Sequence, residues 1–100
     1  MKRLQLEFQQ MAAVKFTGLL KRFFPDLKEE TVSCSTIRDL VCSLDEIYPG
    51  ISGYLVTDNG ELRQHVNVFI NEEMIKDRES LSDAVAEDDQ IYIIQALSGG

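Results

Sequence analysis

The stretch Ile91-Tyr92-Ile93-Ile94-Gln95-Ala96 carries apolar residues at both alternating sets of positions, and this constrains the fold more than any other feature. A strand that is apolar on both faces belongs in the middle of a sheet, because an edge or half-solvated strand alternates apolar with polar residues. Leu97-Ser98-Gly99-Gly100 follows at once. Glycine has no Cβ and tolerates nearly any backbone conformation, so a Gly-Gly terminus can thread a narrow channel and bring its carboxylate to another protein's active site. The reactive group would then be the main chain itself. The alternative for these residues is a frayed tail, since chain ends are usually poorly ordered.

A chain of 100 residues with 44 % hydrophobic content has the size and composition of one globular domain. Its 17 acidic against 10 basic residues, a formal charge of -7, disfavour nucleic acid, whose binding needs a basic footprint to displace counterions. A protein partner with a basic surface is the more natural match. No apolar run near either end approaches the ~20 residues needed to span a bilayer, and the N-terminus lacks a signal-peptide apolar region with a small-residue cleavage site. A cytoplasmic protein that engages no membrane is expected. Cys34 and Cys42 have neither CxxC spacing nor a histidine cluster beside them, so they read as reduced thiols rather than zinc ligands or a disulfide.

Along the chain, Leu4, Leu6 and Phe8 alternate with Gln5, Glu7 and Gln9, a strand-like period that fits an added edge strand in an N-terminal extension, residues 1–10. The core first strand is expected from Met11 to Thr17, where Gly18 breaks it. Leu19 to Asp26 is a connection in which Phe23 and Phe24 are expected to pack under the sheet with the stems of Lys21 and Arg22 covering them; the competing reading, a stacking platform for single-stranded nucleic acid, suits the acidic balance poorly. Leu27 to Cys34 can return as the second strand. Ile37, Leu40, Val41, Leu44, Ile47 and Tyr48 recur at three-and-four spacing and predict one amphipathic helix. Thr36 with Asp39 caps its start and Pro49-Gly50 stops it, which leaves Cys42 on the polar face. Asp58-Asn59-Gly60 is a turn signature. Leu62 to Asn71 reads as a strand with Val66, Val68 and Ile70 inward, and Met74-Ile75 as a short one. Leu81 and Val85 mark a brief helical or irregular turn begun near Ser80, before Glu87-Asp88-Asp89 and the final strand.

These elements give an α+β class, a mixed sheet with one main helix across one face. Their order resembles the β-grasp, or ubiquitin-like, fold. Tyr48-Pro49-Gly50, the run His65-Val66-Asn67-Val68-Phe69-Ile70-Asn71, the Asp88-Asp89 turn and Gly99-Gly100 together resemble the ubiquitin-like sulfur carriers. The similarity is greatest to the MoaD/ThiS-like group that includes the molybdopterin-synthase small subunit and the thiocarboxylate carrier of cysteine biosynthesis. It covers Met11 to Gly100, with the β-grasp domain over residues 11–96 and a flexible tail over 97–100. Two departures stand out: Asp88 occupies a position where the family often has glycine, and Leu97-Ser98 replaces its common Val-Ala.

The resemblance implies a carrier rather than an enzyme, with no cofactor or metal of its own. An ATP-dependent adenylating enzyme would activate the Gly100 carboxylate, and a sulfurtransferase or sulfide source would convert it to a thiocarboxylate. That group would donate sulfur to an acceptor enzyme such as the molybdopterin-synthase large subunit or a cysteine synthase. Leu97, Ser98 and Gly99 would lie in the partner's channel, and Phe69, on the less buried face of its strand, is the candidate docking anchor. A ubiquitin-like modifier, conjugated to lysine through the same Gly100, is the alternative. An enzyme with its own site is disfavoured because His65 has no evident nucleophile or orienting carboxylate, and Glu87, Asp88 and Asp89 read as a solvated turn.

Overall fold

The structure, a computed structural model, describes residues 11–95; the expected extension 1–10 and the tail residues Leu97, Ser98, Gly99 and Gly100 lie outside them. The order is β1 (Met11–Phe16), α1 (Gly18–Lys21), β2 (Glu30–Ser33), α2 (Ile37–Ile47), α3 (Ser52–Leu55), β3 (Val66–Ile70), β4 (Glu73–Met74) and β5 (Gln90–Gln95). The strands form one sheet in the order β2-β1-β5-β3-β4. β5 is central, parallel to β1 with Val14 opposite Ile91, and antiparallel to β3 with Val68 opposite Ile93. The sheet is therefore mixed, as its one parallel ladder requires.

Alternation decides which face is buried. Ala12, Val14, Val66, Val68, Ile91 and Ile93 turn the same way and are all buried, and Ile37, Leu40, Val41 and Leu44 of α2 belong to the same core. Each such Val, Leu or Ile side chain removed from water contributes about 1.5–3 kcal/mol. α2 starts where the pattern predicts: the Asp39 N–H donates to Thr36 Oγ1 at 3.2 Å while the Asp39 carboxylate accepts from the Ser35 N–H at 3.3 Å. It stops at Tyr48-Pro49, and Gly50 takes a φ of 98° that only glycine adopts without strain. Asp45 then accepts from the N–H groups of Ser52 and Gly50 at 3.0 and 3.1 Å, and these bonds, that of Ser52 first, hold its carboxyl below the usual carboxylate range.

Several expectations are corrected. β2 is shorter than Leu27 to Cys34 because the Leu27 N–H closes a turn onto Phe24 O at 2.9 Å. The strand predicted from Leu62 begins only at Val66, since the Leu62 and Arg63 N–H groups bond Arg78 O and Leu55 O instead of the sheet. The one-turn helices α1 and α3 were not predicted. Ile47 is exposed: at ~100° per residue it sits ~70° off the centre of the buried stripe, at the last turn of α2. Phe23 is half exposed while Phe24 packs on the core, because Leu20 already fills the place beneath the sheet and neighbouring residues of a turn cannot both point inward. β5 is central as expected, yet its second face is open: Ile94 is 36 % exposed, and the core lies on one face only. Among the described residues no helix is long and apolar enough to cross a membrane.

Candidate functional site: the foot of the central strand

β5 delivers the chain to the middle of the sheet's lower end. There Gln95 is opposite Val66, its N–H donates to Thr17 Oγ1 at 3.3 Å, and the Thr17 N–H donates to Ile93 O at 3.2 Å. The last described residue is thus tied on both sides, by the segment leaving β1 and the segment entering β3. Arg78 braces the second side. Its guanidinium donates to Arg63 O at 2.7 Å, Val66 O at 2.9 Å and Asn67 Oδ1 at 3.1 Å. With its charge spread over three acceptors, Arg78 positions the start of β3.

The open face of the sheet reaches this same end. Register aligns Lys15, Tyr92, Phe69 and Met74 in one row across four strands, with Lys15 Nζ 5.5 Å from the centroid of the Tyr92 ring, a cation–π contact. The next row toward the exit holds Ile94 opposite Asn67. Phe69, the anchor proposed from sequence, is partly exposed in the middle of this face. Lys15, Met74, Tyr92 and Ile94 were not singled out beforehand. Their signal was present, since they share an alternation class with Phe69, but Tyr92 and Ile94 had been read as a second buried face. Met74 and Ile94 are among the large exposed apolar side chains, so this face sets apolar groups against solvent.

Several polar groups elsewhere have structural partners. Asp89 Oδ2 accepts from the Ala86 N–H at 2.8 Å and Oδ1 from Asn71 Nδ2 at 3.0 Å, so this carboxylate closes a turn at the opposite end of β5. Cys34 is buried; burial, with Asp39 and Asp89 adding to it, pushes its thiol up to about 11. Cys42 is exposed on α2. Among the described residues no group of three or more His, Cys, Asp or Glu side chains could hold a metal ion.

A profile described as the ThiS family matches residues 14–100, from β1 through Gly99-Gly100. The chain belongs to the ThiS family. This ThiS-family chain is 31 % identical over 75 residues to the "Sulfur carrier protein CysO" of Mycobacterium tuberculosis, covering 73 % of this chain and 81 % of that protein. It is 30 % identical over 66 residues to "Small archaeal modifier protein 3" of Haloferax volcanii, covering 66 % and 71 %. The crystal structure of M. tuberculosis CysO superposes with a TM-score of 0.75 at 26 % identity, over 86 % of this chain and 99 % of that one. That of SAMP1 from H. volcanii superposes with a TM-score of 0.74 at 25 % identity, over 90 % and 99 %. The β-grasp expectation holds: this member of the ThiS family has the ubiquitin-like fold of those proteins.

Proposed function

We propose that this chain is a sulfur carrier loaded at Gly100. One observation carries the reading: the family match, residues 14–100, extends through Gly99-Gly100, where the main-chain carboxylate itself can be the reactive group. A Gly100 carboxylate oxygen attacks the α-phosphorus of ATP on an activating enzyme, forming the acyl adenylate and releasing pyrophosphate. Hydrosulfide, free or supplied by a sulfurtransferase, adds to the acyl carbon and AMP leaves, which gives the terminal thiocarboxylate. Adenylation is needed because a carboxylate is a poor electrophile. The partner supplies the magnesium and cationic groups that stabilise the phosphates; this chain supplies reach and docking. Gly99 and Gly100 enter the channel, Leu97 and Ser98 line its mouth, and the open face, with Phe69 at its centre, meets the partner. The acceptor is an enzyme of cysteine or molybdopterin biosynthesis, the cysteine type being favoured by the likeness to CysO.

A second reading has its own support, the 30 % identity to a small archaeal modifier protein: the same activated Gly100 would be attacked by a lysine amine to form an isopeptide bond. One experiment separates the two. The protein is mixed with the activating enzyme of its own organism, ATP, magnesium and sulfide, and intact and fragment masses are recorded. A sulfur-for-oxygen exchange located on Gly100, lost when Gly100 is deleted, is the expected result. An unmodified terminus beside an enzyme that loads another carrier sinks the proposal, and a lysine adduct formed in its place favours the modifier.

A further inference from the structure

The open face is not the only exposed apolar surface at the foot of β5. On the helix side, Phe23 is 51 % exposed, and its ring is held rather than loose. It lies 4.7 Å from the Tyr54 ring, centroid to centroid, and Tyr54 lies 5.3 Å from Phe24. Phe24 in turn meets Tyr48 at 6.4 Å, and Tyr48 meets Phe16 at 6.5 Å. A chain of rings thus runs from the surface to β1. Connectivity fixes where this stack sits. Phe23 follows α1, which leaves β1 next to Thr17, the residue bonded to Gln95. Tyr54 belongs to α3, which Arg63 ties to the entrance of β3: Arg63 Nε donates to Gly53 O at 3.0 Å and the Arg63 N–H to Leu55 O at 2.9 Å. The two segments that flank Gln95 therefore meet through these two rings. Gln95 itself alternates with Ile91 and Ile93 toward the helix side, where its Oε1 is buried with no hydrogen-bond donor.

We infer that the Phe23–Tyr54 stack, with Lys21 and Arg22 beside it, is a second docking surface for the enzyme that takes up the tail, and that it fits an apolar pocket with a carboxylate rim. The inference rests on the carrier reading above. Continuity is the first support: a protein that admits residues beyond Gln95 has to surround the foot of β5, and this patch is the helix-side half of that rim as Phe69, Tyr92 and Ile94 are the open-face half. Charge is the second. In a chain of net charge -7, two adjacent exposed cations, Lys21 and Arg22, immediately precede the one half-exposed phenylalanine among the described residues, which suits an acidic complementary surface. Preorganisation is the third, because rings already stacked lose little freedom on binding, and aromatic and arginine side chains dominate interface energies. Gripped from both faces, the tail would be held at one insertion depth.

The test measures AMP release by the activating enzyme of the same organism, with ATP, magnesium and sulfide, as a function of carrier concentration. Phe23→Ser is expected to raise KM about tenfold while kcat stays within about twofold. The double reversal Lys21→Glu with Arg22→Glu, which touches no core residue, is expected to raise KM similarly and to flatten its dependence on salt. An unchanged KM in both variants, with Phe69→Ala raising it, would overturn the inference and leave the carrier reading standing. If the wild-type chain itself takes up no sulfur, both fall together. Binding of a single-stranded oligothymidylate that disappears in Phe23→Ser would overturn it in favour of a nucleic-acid platform.

Discussion

The Tyr48 hydroxyl, at the end of α2, donates to the Glu30 carboxylate at the start of β2, and it also accepts the Lys28 N–H at 3.3 Å. Helix end and edge strand are joined by one side chain. Burial, with the Glu30 bond adding to it, pushes the Tyr48 hydroxyl above its ordinary range, so it keeps its proton and donates at neutral pH. Tyr48→Phe keeps the ring among Phe16 and Phe24 but leaves a carboxylate and an N–H without their partner. A loss of about 1–2 kcal/mol is expected, read as a lower urea midpoint with an unchanged slope. An unaltered midpoint would show that water replaces the hydroxyl at no cost.

Asp88 sits at a φ of 71°, the left-handed region in which a side chain is strained, and its own N–H donates to Met11 O at 2.8 Å. Asp88→Gly keeps that backbone bond, relieves the strain and removes one of three consecutive carboxylates. Left-handed strain of about 1–2 kcal/mol exceeds the unfolded-state entropy that glycine adds, about 0.5–1 kcal/mol. The expected net gain, about 0.5–1 kcal/mol, is a rise in melting temperature of about 2–8 °C. A fall would mean that the Asp88 side chain makes a stabilising contribution larger than the strain.

The thiols should separate cleanly by reactivity. The thiolate is the nucleophile. The Cys34 thiol, buried and pushed up to about 11, stays protonated near neutral pH, whereas Cys42 is open to solvent. Alkylation of the native protein is expected to label Cys42 alone, with Cys34 following only in denaturant. Cys42→Ser should be close to neutral, while Cys34→Ser places a hydroxyl in an apolar site at a cost of about 1–3 kcal/mol. Sulfur loading at Gly100 should survive both changes; its loss in a folded double variant would assign the thiols a part in the chemistry.

Asp77 gathers the loop that carries Leu81, a fully buried residue at a φ of 56°. Its carboxylate accepts from the Ser80 N–H at 2.9 Å, from Ser82 Oγ, and from the Glu79 N–H at 3.1 Å. These bonds, that of Ser80 first, hold its pKa at about 2 against an ordinary 3.8. Because the folded value is the lower one, the stabilisation is complete above 3.8 and is lost as pH falls through about 2. Asp77→Asn should therefore be less stable than the wild type at neutral pH, with the gap closing across that window. A gap independent of pH would attribute the effect to packing.

Legibility from sequence followed the strength of the local signal. The stripe Ile37, Leu40, Val41 and Leu44 with its Thr36–Asp39 cap was readable because period and capping agree, and both appear as expected. The central position of β5 was readable from Ile91 to Ile94, though for an incomplete reason: apolar residues on both faces fitted a strand covered on both sides, and here one set faces solvent. What alternation cannot tell is whether an apolar face is covered by the chain's own helix or left for another protein. The one-turn helices were missed because four residues carry too little periodicity, and with them went the place where Phe23 meets Tyr54. That pairing is set by tertiary connections through Thr17 and Arg63, which no local pattern encodes. The proposed reactive residues, Gly99 and Gly100, stand on sequence and family alone.

The strand order has a consequence for how the protein is made. Among the described strands, β5 alone joins the β2-β1 pair to the β3-β4 pair, and isolated two-stranded hairpins are marginal in water. On the ribosome, then, the two halves have no common sheet until β5 has emerged, and closing the parallel ladder between β1 and β5 is a long-range event. A nascent or truncated chain lacking β5 would be left as unjoined hairpins for proteases to remove. Maturation of the tail is thereby coupled to completion of the fold.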